Sequence, residues 1–338
     1  MALEFKQRRA LLAPIVVALL LSGCGGSSAK TTATRAVTKP AATHRGAAAR
    51  TGSPVTSLTA RAVAQLPAGV QWPAAAAVGG RVLLMGGLDQ ATASVSDILS
   101  AGVGGAQRIG TLPYAVHDAA GVTLGGRAYL LGGGEPSYSN ILAVDPSGRG
   151  SVVGQLPAAA SDVAAGVIGN TVYVVGGYTG TVPLDTIVAW SGSGTGRVVG
   201  HLPHSVRYAA VAAIGGKLIV AGGTNGLDAT SAVYSFDPAS GGVRQIGVLP
   251  HPLTHAVAAA LGNHVYVIGG RGADQATQTD TILAIDPATG HVRRAGRLPV
   301  ALSDVGAATI GDSVIVAGGR ESSGTLSLHV YALRPRTL

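Results

Sequence analysis

The sequence predicts an all-β fold, a six-bladed β-propeller of four-stranded antiparallel blades, on three grounds: a six-fold repeat, its period, and unmatched strands at the two ends. Six times Leu-Pro is followed, twenty residues later, by Gly-Gly. The pairs are Leu66-Pro67 with Gly86-Gly87, Leu112-Pro113 with Gly132-Gly133, and Leu156-Pro157 with Gly176-Gly177. Then come Leu202-Pro203 with Gly222-Gly223, Leu249-Pro250 with Gly269-Gly270, and Leu298-Pro299 with Gly318-Gly319. Successive copies begin 46, 44, 46, 47 and 49 residues apart, which is the period of propeller blades. All length variation falls after Gly-Gly, so the core of each unit is fixed.

Within each repeat four strand-like stretches appear. The first is small and apolar, as in Ala74 to Val78 and Ala209 to Ile214. Alanine and glycine are poor strand formers alone, so packing must override propensity. Six innermost strands crowding one axis would favour such side chains. A two-residue turn follows (Gly79-Gly80, Gly169-Asn170, Gly311-Asp312), which is hairpin chemistry requiring positive φ. The second strand is richer in β-branched and large apolar residues, such as Val172-Tyr173-Val174-Val175, and ends at Gly-Gly, where a neighbouring sheet can approach closely. A variable loop leads to a third strand (Ile141 to Val144, Ala232 to Phe236, Thr281 to Ile285). An Asp-Pro turn (Asp145-Pro146, Asp237-Pro238, Asp286-Pro287) then opens the hairpin to a fourth strand, which runs into the next Leu-Pro.

The ends complete the count. Ala62 to Pro67 matches a fourth strand with no blade before it, and Leu328 to Leu333 matches a third strand with no fourth after it. The N-terminal strand is therefore expected to complete the last blade, which closes the ring and removes exposed sheet edges.

The Gly-Gly doublet after a hydrophobic strand, followed by a loop and a hydrophobic-Asp-Pro turn, resembles the kelch repeat from about Thr59 to Leu333. One departure stands out. Kelch blades usually carry a Tyr and then a Trp after Gly-Gly that pack between blades. Here those places hold Val144, Phe236 or Ile285, then Ser151, Val243 or Val292. Packing between blades is thus expected to be aliphatic.

The first residues read as an export signal. Lys6, Arg8 and Arg9 precede an uncharged apolar run from Ala10 to Leu21, too short for a mature membrane span. Leu21-Ser22-Gly23-Cys24 resembles the lipobox of bacterial lipoproteins, which implies cleavage before Cys24 and its acylation. Cys24 is the only cysteine, so no disulfide framework exists. The expected organisation is a signal peptide (1–23), a basic Ser/Thr/Ala-rich tether (24–58) and the propeller (59–338). The tether lacks the apolar surface to offset the entropy of ordering. The expected location is the extracytoplasmic face of a membrane, held by lipid on Cys24.

The formal net charge of +8 is unevenly spread. The residues up to Arg61 carry all of it, and from Ala62 onward fifteen Lys or Arg balance fifteen Asp or Glu. A nucleic-acid binder should carry basic charge on its folded surface, so nucleic acid is not an expected partner. The tether's charge suits anionic lipid headgroups or an acidic wall polymer.

Propellers bind at the mouth of the central channel, and two repeated stations resemble kelch mouths. The first, six residues after the Leu of Leu-Pro, reads Trp72, Asp118, Asp162, Tyr208, His255, Asp304. Gln71, His117, Ser161, Arg207, Thr254 and Ser303 precede these. The three aspartates suggest a shared structural task, such as accepting backbone N–H bonds from the adjoining blade. A sharper alternative is a ring of Asp118, Asp162, His255 and Asp304 around a cation or polyol. Trp72 and Tyr208 suit stacking on a sugar face or plugging the channel. The second station begins just after Gly-Gly and includes Tyr178, Arg271 and Arg320. Its diversity suits a ligand-binding rim and equally an unconstrained loop surface.

No zinc-protease, phosphate-loop, nucleophile-elbow or paired-cysteine motif occurs. Copper radical chemistry of the kelch type would need a cysteine that Cys24 does not supply, and no cofactor is expected. The leading expectation is a non-catalytic binding or scaffolding module recognising a protein or glycan at its mouth. Such a module requires Trp72, Tyr208, Arg271 and Arg320 to converge on one face. The alternative is a carbohydrate-active enzyme, an epimerase, mutarotase or lyase. It would use His117-Asp118 near Arg207, as in the kelch-type sialic acid mutarotases, and requires closely spaced titratable groups with perturbed pKa values.

Overall fold

The computed structural model describes residues 57–145 and 147–336. Cys24 and the expected signal and tether up to residue 56 lie outside them. Six sheets are arranged in chain order. Blade 1 comprises Ala74–Val78, Arg81–Met85, Asp97–Gly102 and Gly105–Thr111, and blade 2 Ala120–Leu124, Arg127–Leu131, Asn140–Val144 and Gly150–Gln155. Blade 3 holds Ala164–Ile168, Thr171–Val175, Thr186–Trp190 and Arg197–His201, and blade 4 Ala210–Ile214, Lys217–Ala221, Ala232–Asp237 and Gly242–Val248. Blade 5 holds Val257–Leu261, His264–Ile268, Thr281–Ile285 and Val292–Arg297. Blade 6 takes Gly306–Ile310, Ser313–Ala317 and His329–Pro335 from the C-terminal end.

Its outer strand is Leu58–Gln65, antiparallel to His329–Pro335 with Leu58 opposite Pro335 and Gln65 opposite His329. The ring therefore closes by strand exchange. One sheet exceeds four strands: Gly194–Thr195 lies parallel to the outer strand of blade 2, opposite Gly154 and Gln155. Each inner strand neighbours the next, and the sixth neighbours the first.

The fixed twenty-residue span is set within each repeat by the inner hairpin, where Ala74 pairs with Met85 and Val78 with Arg81 across a two-residue turn, and Gln71 exchanges backbone bonds with Leu88 beyond it. Contacts between blades then lock the doublet in place. The second glycine of each doublet donates its N–H to the carbonyl four residues after the next blade's Leu. Gly87 reaches Val116, Gly177 reaches Val206 and Gly270 reaches Leu302, each at 2.8 Å, and Gly319 closes the circle onto Val70 at 2.8 Å. A Cβ on Gly86 would stand 2.2 Å from the Val116 carbonyl oxygen, and Gly86 has φ 65°. Glycine alone satisfies both constraints. The Leu of each Leu-Pro is buried in the adjoining interface, at 3–5% exposure in all six copies.

The expectation of purely aliphatic packing between blades is corrected at two interfaces. Tyr129 of blade 2 meets Trp190 of blade 3 edge-on at 5.3 Å, and Tyr173 of blade 3 meets Phe236 of blade 4 at 5.7 Å. Phe236 and Trp190 stand at the first of the two usual kelch positions, on the third strand, and each meets a tyrosine from the second strand of the preceding blade.

Candidate functional site

The first station forms a ring. Each of its residues enters the inner strand at positive φ, from 53° at Tyr208 to 61° at Asp304. Such angles are uncommon for side chains other than Asn and Asp, and Trp or Tyr there is an outlier that surrounding structure must hold. What holds them is a closed circuit of backbone bonds. Trp72 donates to the Asp304 carbonyl (2.9 Å), Asp118 to Trp72 (3.3 Å) and Asp162 to Asp118 (2.8 Å). Tyr208 donates to Asp162 (3.1 Å), His255 to Tyr208 (3.2 Å) and Asp304 to His255 (3.0 Å).

This corrects the structural task expected of the aspartates. The link between adjoining blades runs through backbone carbonyls, so the carboxylates are free to meet other side chains. Trp72 Nε1–H donates to Asp304 Oδ1, and Ser303 Oγ–H to Asp304 Oδ2. Arg207 grips Asp162 through Nε and a terminal nitrogen. The Tyr208 hydroxyl donates to Asp118 Oδ2 at 3.2 Å. Among the described residues no three His, Cys, Asp or Glu side chains are placed to share a metal ion, so the cation ring finds no support.

The aromatic members pack on one another. Tyr208 and His255 stack with centroids 3.8 Å apart, and Trp72 lies 6.1 Å from Tyr208, His255 and His117. Arg207 lies 4.1 Å over the Tyr178 ring and 5.3 Å from Tyr208. Tyr178 thus supports the Arg207–Asp162 pair. Arg271 donates to His255 Nε2 at 3.0 Å. Because arginine only donates, that nitrogen is an acceptor, and the imidazole proton sits on Nδ1, 3.1 Å from Thr254 Oγ1. A neutral His255 agrees with its pKa, held well below the ordinary value by burial and then by Arg271 and Arg207.

The second station is tied to the residue preceding the first. Ser161 and Tyr178, Arg207 and Thr224, Thr254 and Arg271, and Ser303 and Arg320 each exchange two backbone hydrogen bonds. The two stations therefore form one rim. A cavity of about 450 Å³ opens there, lined by Trp72, Tyr208, Arg271 and Arg320 together with Asp118 and Asp304. Gln71, His117, Glu135 and Gln275 share its wall. Asp162 and His255 line a second cavity of about 170 Å³ among the inner strands, and Tyr178 lines neither. Trp72, Asp118, Tyr208 and Asp304 border both cavities and form the floor between them.

Burial, and then the nearby Asp162 and Asp304, raise the Asp118 carboxyl well above the carboxylate range. Burial also raises Asp304 to about 6, against bonds from Ser303 and Trp72. Burial lowers His117, whose Nδ1 lies 2.8 Å from Ser94 Oγ and whose Nε2 lies 3.7 Å from Asp118. The floor thus presents two carboxyls that burial pushes above the ordinary carboxylate range, beside a wall imidazole that burial pushes down. His117 and Arg207, named from the sequence for the enzyme alternative, stand one residue before the first station, and Glu135 stands in the second. His117 and Glu135 line the larger cavity, and Arg207 does not.

A closed ring of six four-stranded sheets with a lined axial mouth defines a six-bladed β-propeller. The Kelch motif matches residues 159–191, 205–241 and 252–299, which fall in blades 3, 4 and 5, so this propeller carries kelch repeats. A search of curated proteins returned no match. The solved structure of YjhT is similar, with a TM-score of 0.66 and 14% identity over 79% of this chain and 95% of that one. At that identity the likeness supports the fold.

Proposed function

We propose that this chain is an extracytoplasmic, lipid-anchored kelch propeller that binds a protein or glycan at its channel mouth without turnover. The observation that carries the reading is the meeting of Trp72, Tyr208, Arg271 and Arg320 at one cavity of about 450 Å³, a size suited to a sugar or a short peptide segment. Arg271 is committed to His255 and to the carbonyls of Gly272 and Ala273. Arg320 has no side-chain hydrogen bond or ion pair among the described residues. Its guanidinium is the group left to meet a ligand acceptor, beside the half-buried face of Trp72. A glycan array probed with the chain and with Arg320→Ala tests this. Array binding that the substitution weakens about tenfold supports the reading, and binding indifferent to it contradicts it.

A second reading has its own support. Asp118 and Asp304, both with raised pKa, stand near His117 at the cavity floor, as a carbohydrate-active enzyme such as an epimerase, mutarotase or lyase would need. Conversion of an array-selected sugar, lost on Asp304→Asn, would favour it over pure binding.

A further inference from the structure

The folded region is neutral in total, yet its charge is sorted by face. Strands alternate in direction, so each blade has one end at the mouth rim and the other at its hairpin turns. Of the fifteen acids from Ala62 onward, only Asp145, Asp237, Asp286 and Asp312 lie at the turns. The other eleven lie at or near the mouth, where the cations are Arg108, Arg207, Arg271, Arg297 and Arg320, while Arg244 and Arg294 lie mid-strand opposite Ser235 and Leu283. At the turn face the inner hairpins present Arg81, Arg127 and Lys217. The outer hairpins present Arg149, Arg197 and Arg293, and the C-terminal strand ends on Arg334 and Arg336.

The four acids there are largely occupied. Asp145, Asp237 and Asp286 accept backbone N–H bonds of their own turns, and Asp312 accepts from Ser313. Asp145 also pairs with Arg149, and Asp237 with Lys217. Arg127, Arg197, Arg293, Arg334 and Arg336 are exposed and form no ion pair among the described residues.

The chain enters the fold at this same face. Leu58 lies opposite Pro335, and Arg336 donates its N–H to the Ser57 carbonyl at 2.8 Å. The residues immediately upstream carry Lys30, Arg35, Lys39, Arg45 and Arg50 with no acid. We infer that the turn face is a docking surface for anionic lipid headgroups, and that it directs the mouth away from the membrane. Clustered cations beside the chain's point of attachment add to the attraction exerted by the tether, at short range because salt screens it within about 10 Å at 0.1 M. The inference goes beyond ligand recognition and stands whether the mouth binds or catalyses.

The test is flotation of the chain from residue 24 onward, with Cys24→Ser so that no lipid holds it. The vesicles are equal parts phosphatidylglycerol and phosphatidylcholine, against phosphatidylcholine alone. Replacing Arg127, Arg197, Arg293, Arg334 and Arg336 with Gln should lower partitioning onto the anionic vesicles at least about tenfold. The matching set of Lys replacements should keep it, which separates charge from misfolding. Gln replacements that partition like the parent would overturn the inference, because the tether alone would then suffice. Equal binding to a soluble polyphosphate, without preference for vesicles, would overturn it too.

Discussion

The mouth face and the turn face are built from the same six repeats, yet the physical constraints on them are opposite. At the mouth, every Gly-Gly doublet touches the next blade, and a Cβ on Gly176 would stand 2.2 Å from the Val206 carbonyl oxygen. At the turns, Gly79, Gly125, Gly169, Gly215, Gly262 and Gly311 have similar positive φ, but nothing within 4 Å of an added Cβ. One end of the blade therefore has its backbone locked and its side chains varied, which is how a ring of six equivalent positions can hold Trp, Asp, Tyr and His. The other end has its backbone shape set by local turn chemistry and its surface left to charge.

The comparison is sharpest for one glycine of each kind within one blade. Gly176→Ala should cost more than about 3 kcal/mol, because it adds a clash between blades to an unfavourable φ. Gly169→Ala should cost only about 1 kcal/mol, since the φ penalty stands alone. Chemical denaturation measures both. Equal costs would break the contrast between the faces.

A second effect belongs to the mouth alone. The folded-state pKa of Asp304, about 6, lies above the ordinary carboxylate value. The native state therefore binds this proton more tightly than the unfolded chain, and the contribution to stability is present below about pH 4 and lost as pH rises through 6. Asp304→Asn should remove that fall, seen as a difference between the two stability–pH curves on the order of 2–3 kcal/mol. Parallel curves would show that Asp304 titrates normally.

Smaller effects follow from the rim. Tyr178→Leu removes the ring under Arg207 and should cost about 1 kcal/mol by the same denaturation measurement. Arg320→Ala should change stability by less than about 0.5 kcal/mol. A loss as large as that of Tyr178→Leu would mean Arg320 is structural.

Much of the fold was legible because the repeat records contacts. Leu-Pro and Gly-Gly keep their spacing because the inner hairpin between them pairs in one register, as Ala74 with Met85 and Ala164 with Val175, and the glycine N–H then bonds the loop that follows the next Leu-Pro. The closing strand was legible from its lack of a partner. The site was legible in radius and height: offset six from the Leu places a residue on the ring. Offset says nothing of where a side chain points around that ring. Hence the bond from Trp72 to Asp304, or from Tyr208 to Asp118 across 90 residues, could not be read in advance. The sorting of charge was hidden for a related reason. Adjacent strands run in opposite directions, so residues close in sequence end on opposite faces, and a sum over the chain returns zero.

The mouth can be interrogated through one side chain. The chain has two tryptophans, and Trp190 is buried at 1% exposure between blades 2 and 3. Trp190→Phe leaves Trp72 as the only indole. Titrating that variant with the strongest-binding glycan from an array, while following its emission, reads the mouth directly. A saturable shift of Trp72 emission, weakened about tenfold by Arg320→Ala, is the predicted result. Glycan binding by calorimetry with Trp72 emission unmoved would contradict a ligand site at the mouth.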